Sequence, residues 1–93
     1  MNETTYMVIE RFKDGNALAV YRRFRAQGRL APEGLTYVDS WVDESVRLCF
    51  QVMRTDRRDL LDAWMARWSD LVEFEVYPVV TSADAAARVL GSA

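Results

Sequence analysis

The sequence predicts one α+β domain laid out strand, helix, strand, strand, helix, strand. Three observations predict it: four short runs rich in aromatic and β-branched residues, two stretches with apolar residues three and four apart lying between them, and a length of 93 residues, which supports one core and not two.

Residues 5–12 contain Tyr6, Met7, Val8, Ile9 and Phe12 and end at the turn cluster Lys13-Asp14-Gly15-Asn16, so they read as the first strand. Asn16 is a good helix N-cap, and over 17–27 Val20, Tyr21 and Phe24 recur at helical spacing before Gly28 supplies the stop. Pro32 and Gly34 mark a connection. Residues 35–43 and 46–54 then form two strand-like runs around a short polar turn near Glu44-Ser45, which reads as a hairpin. Thr55 or Asp56 can cap the second helix, where Leu60, Leu61, Trp64, Met65, Trp68 and Leu71 follow spacings of three and four. Over 72–80, Phe74 and Val76 alternate with Glu73 and Glu75, and Pro78 suits a strand at a sheet edge, where its missing amide is tolerated. Thr81-Ser82 caps a short Ala-rich helix over 83–90, closed by Gly91. Residues 1–93 thus form one domain, with a core over about 5–80 and a helical tail over 81–91.

This order is the split βαβ, or ferredoxin-like, pattern. Right-handed crossovers place both main helices on one face of a four-stranded antiparallel sheet and leave the other face in need of a cover. The register of the central hairpin then matters, because a one-residue slip exchanges the faces. A three-residue turn over 43–45 sets Val42 opposite Val46, Val38 opposite Phe50, Tyr37 opposite Gln51 and Asp39 opposite Cys49. One face then carries Ile9, Val38, Val42, Leu48, Phe50, Val52, Phe74 and Val76, and the other carries Tyr6, Glu10, Tyr37, Asp39, Trp41, Gln51 and Tyr77. The first is an aliphatic core surface. The second is too apolar for full solvation and too polar for plain packing, which points to a subunit interface or a pocket. On sequence alone, either face can be the one that carries the helices.

Composition removes several chemistries. The chain has no histidine, the usual acid/base near neutral pH and the commonest metal ligand, and a single cysteine, Cys49, so no metal site and no Cys/His nucleophile are expected. A formal net charge of −2 gives no nucleic-acid footprint. There is no phosphate loop, no Ser/His/Asp set and no apolar run near the ~20 residues that span a bilayer. The polar N-terminus and the lone thiol lead us to expect a cytoplasmic protein without cofactor or membrane partner.

The candidate ligand-binding residues are Glu10, Tyr37, Asp39, Trp41, Gln51, Trp64 and Trp68. Glu10, with Asp39 on the same predicted face, is the nearest approach to a catalytic carboxylate pair, since a carboxyl among aromatics can be held protonated and act as acid or base. The plainer reading pairs each with an arginine such as Arg11 or Arg47. Trp41 on the mixed face is the favoured ligand contact; Trp64 and Trp68, four apart on one helix, also suit a core stripe. Tyr37 and Gln51 can hold a ligand carbonyl or satisfy one another. Arg22, Arg23, Arg25 and Arg29 read as a solvated face, because 22, 25 and 29 align only if the helix runs past Gly28. Cys49, in mid-strand, reads as a small packed residue.

Three segments carry a family resemblance: Tyr-Met-Val-Ile-Glu-Arg-Phe-Lys-Asp-Gly, Pro-Glu-Gly-Leu-Thr-Tyr-Val-Asp-Ser-Trp and Trp-Ser-Asp-Leu-Val-Glu-Phe-Glu-Val-Tyr-Pro-Val. Over roughly residues 6–89 the chain resembles a family of short bacterial proteins that share a domain of unknown function, within the dimeric α/β-barrel group of ferredoxin-like proteins. The resemblance implies the fold and a homodimer in which two sheets face each other, and no established activity. Distant members of that barrel group include cofactor-free quinone-forming monooxygenases, haem-degrading enzymes and lactone isomerases. The haem-degrading members use a His, Asn and Trp set from which this chain departs, having no His.

The expectation is therefore a pocket in each subunit for a small aromatic or quinone-like molecule, lined by Glu10, Trp41 and a helix tryptophan, with scope for cofactor-independent chemistry. The rival is a non-catalytic dimeric structural or regulatory module whose mixed face serves only an interface.

Overall fold

Burial along the first strand sets the architecture. In β1 (Thr4–Phe12), Tyr6, Val8, Glu10 and Phe12 are buried and the residues between them are more open, so one face of the strand enters the core. The structure is a computed structural model and describes residues 2–91. After a short 3-10 turn, Lys13–Gly15, Asn16 caps α1 (Ala17–Gln27) by accepting the Ala19 amide at 3.2 Å, and Gly28, at φ 73°, ends it. The hairpin is β2 (Thr36–Val42) and β3 (Leu48–Thr55), followed by α2 (Arg58–Ala66), β4 (Val72–Val79) and α3 (Ser82–Leu90), whose Thr81 cap accepts the Asp84 amide. The strands form one antiparallel sheet of four in the order β2-β3-β1-β4, the ferredoxin-like arrangement.

The helix side of the sheet is fixed by what packs there. Val8 and Met53 are fully buried beside Leu61 and Trp64 of α2, with Val20 of α1 and Leu35 completing the cluster. Tyr6, Glu10 and Gln51 lie on this same side. The mixed face therefore carries the helices, and the aliphatic face, with Ile9, Leu48, Phe50 and Val52, is the open one.

Several strand positions depart from the sequence reading. The hairpin loop is five residues long, 43–47, because the Asp43 carboxylate gathers it: Oδ1 accepts the Arg47 amide at 2.9 Å and the Leu48 amide at 2.7 Å, and Oδ2 accepts from the Ser45 amide and hydroxyl. These bonds hold the Asp43 carboxyl at about 2, below the usual carboxylate range. Phe50 consequently opposes Trp41, three residues beyond the expected Val38, and an odd displacement exchanges faces. Asp39 and Trp41 move to the open face, while Ser40 and Val42 move to the helix side opposite Gln51 and Cys49. A bulge between Tyr37 and Asp39 inserts Val38 and returns Tyr37, opposite Met53, to the helix side. In β4 the assignments invert as well: Phe74 and Val76 pair with Glu10 and Val8 on the helix side, and Tyr77 pairs with Met7 on the open one.

The second helix is also capped differently. Neither Thr55 nor Asp56 occupies its N-cap, which is Arg57 without a side-chain cap bond. Buried Thr55 instead donates to the Gly34 carbonyl at 2.9 Å and accepts the Arg57 amide at 3.1 Å, bending the chain out of β3. Regular helix stops at Ala66, and residues 67–71 continue as turns, with Leu71 and Val72 amides both bonded to the Trp68 carbonyl.

Candidate functional site

Between α1 and the sheet the packing is incomplete. Val20 is the one fully inward residue of α1, and Tyr21 rests on Phe12 edge-to-face, with ring centroids 6.1 Å apart. The remaining gap is a pocket of about 120 Å³ bounded by Phe12, Val20, Tyr21, Phe24, Val42, Trp64 and Trp68, with Glu10, Arg29, Ser40, Cys49 and Gln51 as its polar lining. A dry cavity of about 150 Å³ is enough to take benzene, so this space has the scale of one six-membered ring.

Arg29 reaches the pocket because of how its backbone is held. Gly28 turns the chain, and the Arg29 carbonyl accepts two indole N–H bonds, from Trp64 Nε1 at 3.0 Å and Trp68 Nε1 at 2.9 Å. Arg67 Nη1 donates to the Leu30 carbonyl at 2.6 Å. Leu30 itself sits at φ 64°, a conformation that costs a non-glycine residue about 1–2 kcal/mol, and these three donors from and just beyond α2 hold it there. With its carbonyl on the α2 side, the Arg29 guanidinium lies over the Tyr37 ring, 3.6 Å from its centroid, and 5.1 Å from that of Phe24. Trp64 and Trp68 are thus core residues and positioning residues at once. Arg23 acts elsewhere, clamping α1 to the turn after α2 through both oxygens of Asp70, at 2.8 and 2.6 Å.

The polar floor is unfinished. Among the described residues, three buried side-chain atoms lack a hydrogen-bond partner within the chain, Glu10 Oε2, Gln51 Nε2 and Arg29 Nε, and all three belong to residues lining this pocket. Glu10 is only 8% exposed and Gln51 5%. Leaving such groups unpaired costs about 1–3 kcal/mol each, more for a charged one, so their convergence on one cavity is not a packing accident to be expected. Burial pushes the Glu10 carboxyl up to about 7, against the pull of the Arg29 charge. Arg29 forms none of the ion pairs found among the described residues, which belong to Arg23, Arg57 and Arg58.

Of the residues picked from sequence, Glu10, Gln51, Trp64 and Trp68 are brought together in the pocket and Tyr37 stacks under Arg29 at its edge. Asp39 and Trp41 lie on the open sheet face, where Trp41 is 58% exposed, so the expected pairing of Glu10 with Asp39 does not form. Arg29, Ser40, Tyr21 and Phe24 also line the pocket and lie outside the set that the sequence singles out. The available signal for Arg29 was its place directly after the helix-ending Gly28, which parts it from Arg22 and Arg25. Burial and the neighbouring Glu10 carboxyl push the Cys49 thiol to about 12, which makes it a poor nucleophile.

Among the described residues, no group of three His, Cys, Asp or Glu side chains is placed to hold a metal ion. No described helix is long and apolar enough to cross a membrane. Comparison with curated proteins and with solved structures gave no match. The model of a domain of unknown function, DUF3303, matches residues 4–92, nearly the whole chain, and the chain belongs to that family.

Proposed function

We propose that this protein binds a small planar aromatic or quinone-like molecule in the pocket between α1 and the sheet of each subunit. The observation that carries this reading is the meeting of three unpartnered buried polar atoms with an aromatic-walled space of ring size. A carboxyl that titrates near neutrality can give or take a proton at pH 7, so Glu10 provides the pocket with acid–base capacity that needs no cofactor. The site is a binding pocket first, and proton transfer to a bound ring is the chemistry it would support.

Trp64 and Trp68 form one wall, so occupancy should change their emission. A panel of hydroxylated, carboxylated and quinoid single-ring probes should produce saturable quenching, and Gln51→Leu should weaken it; Trp41→Phe should remove background fluorescence without changing affinity. Absence of saturable quenching by every probe, with no thermal stabilisation, refutes the reading.

A second reading, compatible with the first, concerns the open face. Ile9, Leu48, Phe50 and Val52 lie half-buried beside exposed Trp41, and α3 ends in Val89 and Leu90, 83% and 78% exposed. The radius of gyration, 15.0 Å, exceeds the roughly 12 Å expected for a compact domain of this length. We infer a homodimer with sheet facing sheet, each α3 reaching the partner, which leaves both pockets on the outer, helix side. The unpaired, buried Cys49 supports a reducing, cytoplasmic setting.

A further inference from the structure

We propose that the ligand of this pocket is a single-ring carboxylate, its head group seated between Arg29 Nε, the Gln51 side-chain amide and the Glu10 carboxyl, with its ring against Phe12, Val20, Trp64 and Trp68. This rests on the pocket reading above and names the chemical class it takes.

Charge selects the class. Arg29 is permanently cationic, its guanidinium is half-buried against two aromatic rings, and it has no carboxylate partner among the described ion pairs. Glu10 supplies only part of the missing counter-charge, because burial keeps much of it protonated at neutral pH. The other groups facing Glu10 do not help: Tyr21 on α1 and Cys49 on β3 both titrate above their ordinary ranges and stay neutral, and Trp64 on α2 and Trp68 in the turn after it carry no charge. An anion entering the pocket would favour the protonated carboxyl further. Three donors on lining residues then lack a partner, Arg29 Nε–H, Gln51 Nε2–H and the Glu10 O–H, and a carboxylate with two oxygens and about four acceptor positions can satisfy all three. Size agrees: about 120 Å³ is on the scale of a single ring.

This arrangement links binding to a proton at Glu10. A ligand that requires the protonated carboxyl should bind about tenfold more tightly at pH 6 than at pH 8, the ratio of protonated fractions for a group titrating at about 7. Phenol, which would donate to ionised Glu10, should show the opposite trend.

The test is calorimetric titration of the full chain with benzoate, benzamide and phenol at pH 6, 7 and 8, in two buffers of different ionisation enthalpy. The expected result is benzoate binding that weakens about tenfold from pH 6 to pH 8, net proton uptake near pH 7, and loss of that pH dependence in Glu10→Gln. Arg29→Gln should abolish benzoate binding while leaving the circular dichroism spectrum unchanged. Binding of phenol or benzamide without benzoate, or benzoate binding indifferent to pH, overturns the carboxylate assignment and leaves the pocket reading standing. No heat and no tryptophan response from any of the three probes overturns both.

Discussion

Replacing Glu10 by Gln should make this protein's stability less dependent on pH, and the size of the effect follows from one buried group. Glu10 is 8% exposed, and its carboxyl is raised from 4.5 to about 7 by burial, with Arg29 opposing. The folded state thus holds this proton more tightly than the unfolded chain does. Its contribution to stability is fully present below pH 4.5, declines as the pH rises from 4.5 to about 7, and stays lost above that. At ~1.4 kcal/mol per pH unit, the wild type loses about 3 kcal/mol across this interval through Glu10 alone. That is a large share of the 5–15 kcal/mol typical of a small domain. Glu10→Gln removes this titration. Asp43 and Asp70, both held near 2 by their hydrogen bonds, lose stability in the opposite direction as pH falls, but they are common to both proteins and cancel in the difference. Urea denaturation of both proteins at one fixed protein concentration, followed by tryptophan emission at several pH values from 4.5 to 8, gives the comparison directly. The variant's stability relative to wild type should rise by about 3 kcal/mol between the two ends. A difference that stays constant within ~0.5 kcal/mol over that range would refute the assignment of a buried, neutral-range carboxyl.

Two further substitutions test the framework around the site. Trp41→Asp places a charge beside Phe50 on the open sheet face, so light scattering should report the wild type at about twice the 10.7 kDa chain mass and the variant at the single-chain mass, with circular dichroism unchanged; a monomeric wild type would end the dimer proposal. Gly34→Ala strains a backbone at φ 95° and drives a Cβ to 2.8 Å from Leu60 Cδ1, in the connection that Thr55 ties down, and should cost about 1–3 kcal/mol in urea denaturation; an unchanged midpoint would show that this connection yields freely.

How far the sequence could be read depended on the range of the interactions involved. The elements are local: Asn16 and Gly28 delimit α1, and the three-and-four spacing of Leu61, Trp64 and Trp68 marks the second helical segment. The same local logic found Glu10, Gln51 and the two helix tryptophans as an unusual set. It misplaced Asp39 and Trp41 because their face depends on how many residues the hairpin loop takes up, and that number is set by the bonds Asp43 makes to backbone amides up to five positions away. Hydrophobic alternation cannot detect such a loop, since a side chain wrapped in backbone leaves no periodic trace. Arg29 escapes for a related reason: in sequence it belongs to a run of arginines, and only the indole donors of Trp64 and Trp68, thirty-five and thirty-nine residues later, aim it inward.

By itself, then, the sequence determined the βαββαβ order, the division of β1 and β3 into a mixed and an aliphatic face, and the narrowing of chemistry that comes with having no histidine, because these depend on residue identity and short-range periodicity. The tertiary structure alone decided that the mixed face lies under the helices, that β2 and β4 present different residues to it than alternation suggested, and that Arg29 joins Glu10 and Gln51 around one cavity. Those outcomes depend on register and on hydrogen bonds between distant segments, and both are settled only when the sheet and helices pack together.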